Sequence, residues 1–229
     1  MVEFCNVCGG TNFSSQKVIC DKLVNDWEIS EEERAYIEIQ QGVTCNKCHN
    51  NIRTIALAKA IMSAFDYPGL FVDFVKKWKF RRLKVLEINT AGALHEQLKI
   101  LPKLTFAEYP RHDMNTLCAF ADNTFDLVVH SDTLEHITTP IKALAACRRV
   151  LKNGKFCIFT IPMIVDRMSR SRAGLPKSYH GIYDEGREDF VVYTEFGADT
   201  WEYAIKAGFN EVAIQTLDFP TATVIRAKK

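Results

Sequence analysis

The sequence has no apolar run of the length a membrane span needs, and its first residues, Met1-Val2-Glu3-Phe4-Cys5, show neither the basic nor the apolar part of a secretory leader. A cytoplasmic setting with no membrane partner is therefore expected. There is no surplus of charge either. The chain has 29 basic and 28 acidic residues for a net +1, so no overall field points to nucleic acid, although a local patch is compatible with that balance. No internal repeat or low-complexity segment is visible. What remains is a chain of 229 residues, 47% hydrophobic and 25% charged, enough for one ordinary α/β domain and a small appendage.

The eight cysteines are distributed in a way that argues against disulfides. Cys118, Cys147 and Cys157 are scattered through apolar sequence, where a lone thiol behaves as a small buried hydrophobe. Cys5-Asn6-Val7-Cys8 and Cys45-Asn46-Lys47-Cys48 differ, because two Cys-x-x-Cys knuckles have the spacing of a four-sulfur structural zinc site. Cys20 and His49 are alternative ligands that the symmetric set does not require. Residues 1–52 then form a zinc-ribbon-like module, too small for a good core of its own, whose folding energy the metal would supply. Between the knuckles, Ser30 and Glu33 form a capping box that starts a helix, and Gly42 is expected to end it.

Residues 53–82 read as a helical linker. Ile55, Leu57, Ala58, Ile61, Met62 and Phe65 form an apolar stripe that ends at Pro68-Gly69. A second amphipathic piece, from Leu70 to Trp78, runs into the basic Lys76-Lys77-Trp78-Lys79-Phe80-Arg81-Arg82, read here as a solvated helix end in preference to a nucleic-acid contact.

From Lys84 the pattern becomes strand, tight turn, helix: Val85-Leu86-Glu87-Ile88, then Asn89-Thr90-Ala91-Gly92-Ala93, then a helical period. A second acid, Glu108, closes the next apolar run roughly twenty residues on. This is the layout of a nucleotide-binding βαβ unit, in which the second acid receives ribose hydroxyls. A third run, Phe125 to His130, ends in Ser131-Asp132-Thr133-Leu134-Glu135-His136-Ile137, where ligands of open α/β sheets sit. Strands are predicted at 84–89, 104–109, 114–117, 125–130 and 155–161, helices from about 93 and over 139–151 and 197–207, and a terminal strand pair at 212–217 and 222–227. The irregular stretch at about 163–195 reads as a lid.

Taken together, Leu86-Glu87-Ile88, Ala119 to Val129, Ser131 to Ile137 and Arg149-Val150-Leu151-Lys152-Asn153-Gly154-Lys155 resemble the class I S-adenosylmethionine-dependent methyltransferases, most of all their type 11 branch. The resemblance spans roughly residues 83–229 and implies a Rossmann-like, mostly parallel sheet of seven strands with helices on both faces. The family's glycine-rich loop is altered: Asn89, Ala91 and Ala93 occupy glycine positions, with Gly92 between them. Asn tolerates positive φ and Ala is small, so the loop can still admit a cofactor.

The resemblance implies further roles. Glu87 would orient the loop and the methionine end of S-adenosylmethionine, Tyr109 would lie beside the adenine, and Asp113 and Met114 would meet its amino group and ring face. His130 and Ser131 would face the methyl group. His136 is divided between packing and catalysis. On the lid, Tyr179-His180-Gly181 and Val192-Tyr193-Thr194-Glu195-Phe196-Gly197 look like segments of bacterial methyltransferases associated with polysaccharide synthesis. Tyr193 would contact a hydroxylated substrate, and His180 would act as general base. The leading expectation is methyl transfer to oxygen or nitrogen of a small cytoplasmic metabolite, with nucleic acid not expected as a partner. The alternatives are a non-catalytic, zinc-containing adaptor or nucleic-acid-binding protein and, last, an NAD-dependent oxidoreductase, which would explain only the first βαβ unit.

Overall fold

The computed structural model describes residues 2–180 and 188–229. The N-terminal part comprises β1 (Phe13–Ser15), α1 (Asp21–Trp27), α2 (Glu31–Gly42) and β2 (Val43–Cys45), with β1 and β2 paired antiparallel. The capping box forms as the sequence predicts: Ser30 Oγ accepts from Glu33 N–H at 3.2 Å and the Glu33 carboxylate accepts from Ser30 N–H at 2.7 Å. Gly42 acts by a different route from the expected left-handed stop. It is the last residue of α2, and a Cβ there would stand 2.1 Å from the Gln16 carbonyl oxygen, so glycine is required by the close approach of the backbone leaving β1.

Next come α3 (Ile52–Ala64) and α4 (Phe71–Phe74). Asn51 caps α3 by accepting from Thr54 N–H at 3.0 Å. The helix is buried over most of its circumference, not along one stripe, because it lies between the sheet and the N-terminal part. The basic run that follows is mostly exposed turn, although Phe80 is buried and stacks on Phe74 with ring centroids 4.1 Å apart.

The α/β core is built from β3 (Val85–Ile88), α5 (His95–Leu98), β4 (Leu104–Ala107), β5 (Phe125–Ser131), α6 (Pro140–Val150) and β6 (Leu151–Thr160). After it come the short strands β7 (Met163–Ile164), β8 (Arg170–Ser171) and β9 (Thr194–Gly197), then α7 (Thr200–Lys206), β10 (Glu211–Leu217) and β11 (Ala222–Lys228). The main sheet has six strands in the order β10-β11-β6-β5-β3-β4, parallel from β6 to β4 and antiparallel at β11 and β10. The expected terminal strand pair is thus present, whereas the expected strand at 114–117 is a series of turns, leaving six strands where seven were anticipated. Asp113 sets that local course: its side chain accepts from Asn115 N–H at 2.8 Å and its carbonyl accepts from Leu117 N–H at 2.9 Å.

Alternation along the strands divides the core between the two faces. Val85, Leu127, Val129, Ile158 and Val224 join α3 and α4, and Leu86, Ile88, Val128, Phe159 and Ile225 join the cluster with α6 and α7. Cys5, Cys8 and Cys45 belong to the first of these cores, so the knuckles share a hydrophobic interior with the sheet. Cys147 and Cys157 are buried as expected, but Cys118 is exposed on a turn.

The stretch read as a lid is a small sheet, β7-β9-β8, packed against α1 and α2. Trp27 Nε1 donates to Ser178 Oγ at 3.0 Å, and the Tyr36 hydroxyl accepts from Val165 N–H at 3.1 Å. The buried Glu195 carboxylate gathers Arg170 and Arg172. Residues 181–187, among them Gly181, lie outside the described residues. No helix among the described residues is long and apolar enough to cross a membrane.

Candidate active site and thiolate cluster

The loop after β3 is organised by Glu87. Its carboxylate is fully buried at the strand end, accepts from Ala91 N–H at 3.0 Å and pairs with His95 Nδ1 at 2.7 Å. Burial pushes its pKa above the ordinary carboxylate range, opposed by the Ala91 amide and by His95. Asn89 takes φ of 53° and Gly92 φ of 54°, whereas Ala91 is at −77°. Asparagine in place of glycine at position 89 therefore falls where Asn is tolerated best, and Ala91 stands where no glycine is needed.

Beyond the strand ends lies a cavity of about 900 Å³. It is of the size that holds a drug-sized ligand. Asn89, Glu108, Tyr109, Asp113 and Met114 line one part of it, and Ser131, Asp132, His136 and Tyr193 line another. Eight of the candidate residues read from the sequence thus border one space. Glu108 and Tyr109 are exposed on its rim, and Met114 is buried. Glu87, Ala91 and Gly92 do not line it; Glu87 and Ala91 are buried and brace the loop through their hydrogen bond, and Gly92 is exposed.

His130 is placed elsewhere. It is wholly buried, stacks on Phe159 at 4.6 Å and lines no part of the cavity. Burial pushes its pKa down to about 3, so the ring is neutral. Ser131, its neighbour on the strand, borders the cavity, with its hydroxyl 2.8 Å from Thr160 Oγ1.

His180 lies outside the large cavity too. It borders a second space of about 260 Å³, formed with Trp27, Leu23 and Gln41. It is nonetheless close to His136, through Glu135. His180 Nδ1 is 3.2 Å and His136 Nε2 3.6 Å from Glu135 Oε1, and His136 Nδ1–H donates to Val191 O at 3.0 Å. The histidines hold the Glu135 carboxyl below its usual range in spite of full burial, and hydrogen bonding to Glu135 raises the pKa of His180 against the effect of its own burial. Tyr193 N–H donates to Glu135 O at 2.8 Å, which fixes the lid against this cluster.

Three members of the site were not singled out from the sequence. Arg53, in the first turn of α3, forms a close ion pair with Asp132, and Gln41 lies 3.3 Å from His180 Nε2. Glu135 is the third. The signal for Arg53 was available: a cation at the start of a largely apolar helix opposes the helix dipole and therefore calls for a partner.

Just ahead of the start of α3, the four knuckle sulfurs converge within 4.8 Å of one another. Cys5 and Cys48 are 3.6 Å apart, as are Cys8 and Cys45. That is far beyond the disulfide length of about 2 Å and near the separation of about 3.8 Å across a tetrahedral ion with bonds of about 2.3 Å. The donor set and its spacing fit a single soft divalent cation. Cys20 and His49 are not part of the cluster.

Residues 70–159 match the family model of a methyltransferase domain. No curated protein sequence matches the chain significantly. Among solved structures, the chain is similar to the 1,6-didemethyltoxoflavin-N1-methyltransferase of Burkholderia thailandensis, determined with 1,6-didemethyltoxoflavin and S-adenosylhomocysteine. The identity is 14%, the TM-score 0.46, and 77% of this chain and 78% of that chain are covered. It is also similar to a SAM-dependent methyltransferase of Thermotoga maritima, with 15% identity, a TM-score of 0.42, and 91% and 97% of the two chains covered.

The Arg53–Asp132 pair yields a stability prediction. Arg53→Met strands a largely buried carboxylate and is expected to cost about 3–5 kcal/mol in urea denaturation, with most of it recovered in the Arg53→Met/Asp132→Asn double variant. A loss below about 1 kcal/mol would mean that the pair behaves like an exposed one.

Proposed function

We propose that the chain is an S-adenosylmethionine-dependent methyltransferase acting on oxygen or nitrogen of a small metabolite, with a sugar or polysaccharide precursor as the preferred class. The observation that carries this reading is the single cavity bordered both by Asn89, Glu108, Asp113 and Met114 and by Ser131, Asp132, His136 and Tyr193. The match of residues 70–159 to a methyltransferase domain supports it.

In this reading Glu108 takes the ribose hydroxyls, Tyr109 and Met114 flank the adenine, and Asp113 meets its amino group. Glu87 holds the loop from Asn89 to Gly92 in the shape that admits the methionine end. When bound, S-adenosylmethionine supplies an electrophilic methyl group on a sulfonium. The acceptor then occupies the side bordered by Ser131, His136 and Tyr193. Its lone pair forms the new bond to carbon as the carbon–sulfur bond breaks toward sulfur, so no oxidant is required. The protein contributes alignment, exclusion of water by the packed lid, and a place for the acceptor's proton to leave, beside Glu135, His136 and His180.

The four thiolates hold a structural zinc. Their union of residues 5–8 with 45–48 fixes the start of α3, and with it Arg53, in relation to the sheet. We keep the division into residues 1–52, 53–82 and 83–229, with a lid at about 163–195, as a proposal about the chain's organisation, although the hydrophobic core is shared.

Calorimetric titration with S-adenosylhomocysteine tests the cofactor reading. Micromolar binding is expected, weakened about 10- to 150-fold in Glu108→Ala, the equivalent of about 1.5–3 kcal/mol for hydrogen bonds to a charged group. Unchanged affinity in the variant, or preference for NAD, would overturn it. Elemental analysis of the purified chain should give about one zinc per molecule, and Cys45→Ser should lose both the metal and several degrees of Tm. A metal-free chain of undiminished stability would contradict the structural role.

A further inference from the structure

The search beyond the cofactor cavity leads to the Glu135–His136–His180 cluster. We propose that these three side chains hold a divalent first-row cation, and that this cation binds an oxygen of the methyl acceptor. The cation site stands on geometry alone. Its use toward an acceptor rests on the methyl-transfer reading above.

Three observations carry the site. First, one ligand atom from each of the three residues lies within 4.8 Å of the other two. The separations of 3.2 Å and 3.6 Å from Glu135 Oε1 to the two histidine nitrogens are those of neighbouring donors around an ion with bonds of about 2.1 Å.

Second, the outer nitrogen of each ring is engaged away from the cluster. His136 Nδ1–H donates to the Val191 carbonyl, so its lone pair lies on Nε2, toward Glu135. The Gln41 carboxamide nitrogen is placed 3.3 Å from His180 Nε2, and a half-turn of the amide about its last bond exchanges that nitrogen for the oxygen. With its oxygen turned to the ring nitrogen, it accepts Nε2–H and leaves the His180 lone pair on Nδ1, also toward Glu135. Metal-ligating histidines are oriented in this way by carbonyl and amide partners.

Third, Glu135 is only 1% exposed, yet its Oε2 has no hydrogen-bond partner among the described residues, and Asp132 Oδ1 beside it is in the same condition. A buried carboxylate oxygen without a partner is costly, and a cation held by both oxygens of Glu135 would remove that cost.

Two histidines and one carboxylate form a set that suits manganese, iron or cobalt in the divalent state and leaves coordination positions open. Because His136 also borders the large cavity, a hydroxyl of a bound acceptor can complete the sphere. A coordinated hydroxyl is acidified by the ion and its proton passes to water, so that no side chain need serve as the base. The acceptor class that follows is a hydroxylated metabolite methylated on oxygen.

The test uses the full chain with its zinc content measured beforehand, titrated with manganese chloride and followed by the electron paramagnetic resonance signal of free Mn²⁺. Manganese is a hard ion and does not compete for the four thiolates. One Mn²⁺ per chain is expected, with affinity reduced at least about 10-fold in Glu135→Gln and in His180→Asn. Gln41→Ala, which leaves all three ligands in place, should weaken binding to a smaller extent. If the two ligand variants fail to fold, cobalt substitution of the parent chain gives an independent readout. The second Co²⁺ taken up should show d–d bands without thiolate charge transfer. No uptake of Mn²⁺ or Co²⁺ beyond the thiolate site, by a chain folded by circular dichroism, overturns the proposal, as does equal uptake by the variants. Uptake of Mn²⁺ without binding of S-adenosylhomocysteine would refute the methyl-transfer reading and leave the cation site standing.

Discussion

Two carboxylates at the end of β5, the buried Glu135 and the largely buried Asp132 at the cavity wall, carry charges that the surrounding structure is arranged to compensate. Isolated charges in such a place are not tolerated, because desolvation costs several kcal/mol for each. The compensation comes from distant parts of the chain: Arg53 from α3, His136 from the turn after β5, and His180 from beyond β8, itself held by Gln41 of α2. Each of these segments must be in place before the two charges are matched. Folding of the N-terminal part and assembly of the site are therefore coupled.

That coupling gives the knuckles a function beyond closing a small module. The sulfur cluster shares its core with α3, and α3 carries the arginine that neutralises Asp132. A path of packed side chains thus leads from the thiolates to the cavity wall. The same logic accounts for α1 and α2. They lie against the β7-β9-β8 sheet through Trp27 and Tyr36, so the described part of the stretch read as a lid is packed against the N-terminal helices.

The local grammar of the fold was legible in the sequence. The capping box of Ser30 and Glu33 and the terminal antiparallel pair arise from interactions among near neighbours, and the parallel strands from Val85 onward were marked by their apolar runs. Asn89 was legible for the same reason, since the demand for positive φ is a property of one residue. Gly42 was marked correctly as a boundary but for the wrong cause, because the obstructing carbonyl of Gln16 comes from another segment. His130 and Ser131 were both assigned to the methyl-bearing side, yet adjacent residues of a strand face opposite ways. That alternation was itself enough to separate them. Gln41 and Glu135 were missed because their roles depend on partners up to 139 positions away, which no window of the sequence contains, and the signal at Arg53 told only that a partner was needed, not which.

The claim at the centre of this account is that one cavity, at the carboxyl ends of β3 to β5, brings a nucleoside-binding rim and a buried acid–imidazole cluster to the same small molecule. A crystal structure of the chain with S-adenosylhomocysteine tests it most directly. The account predicts the ribose hydroxyls on Glu108, the amino-acid tail along Asn89 to Gly92, and the sulfur directed to the side of the cavity bordered by His136 and Tyr193. Density for the ligand anywhere else, or a sulfur directed away from His136, would contradict it.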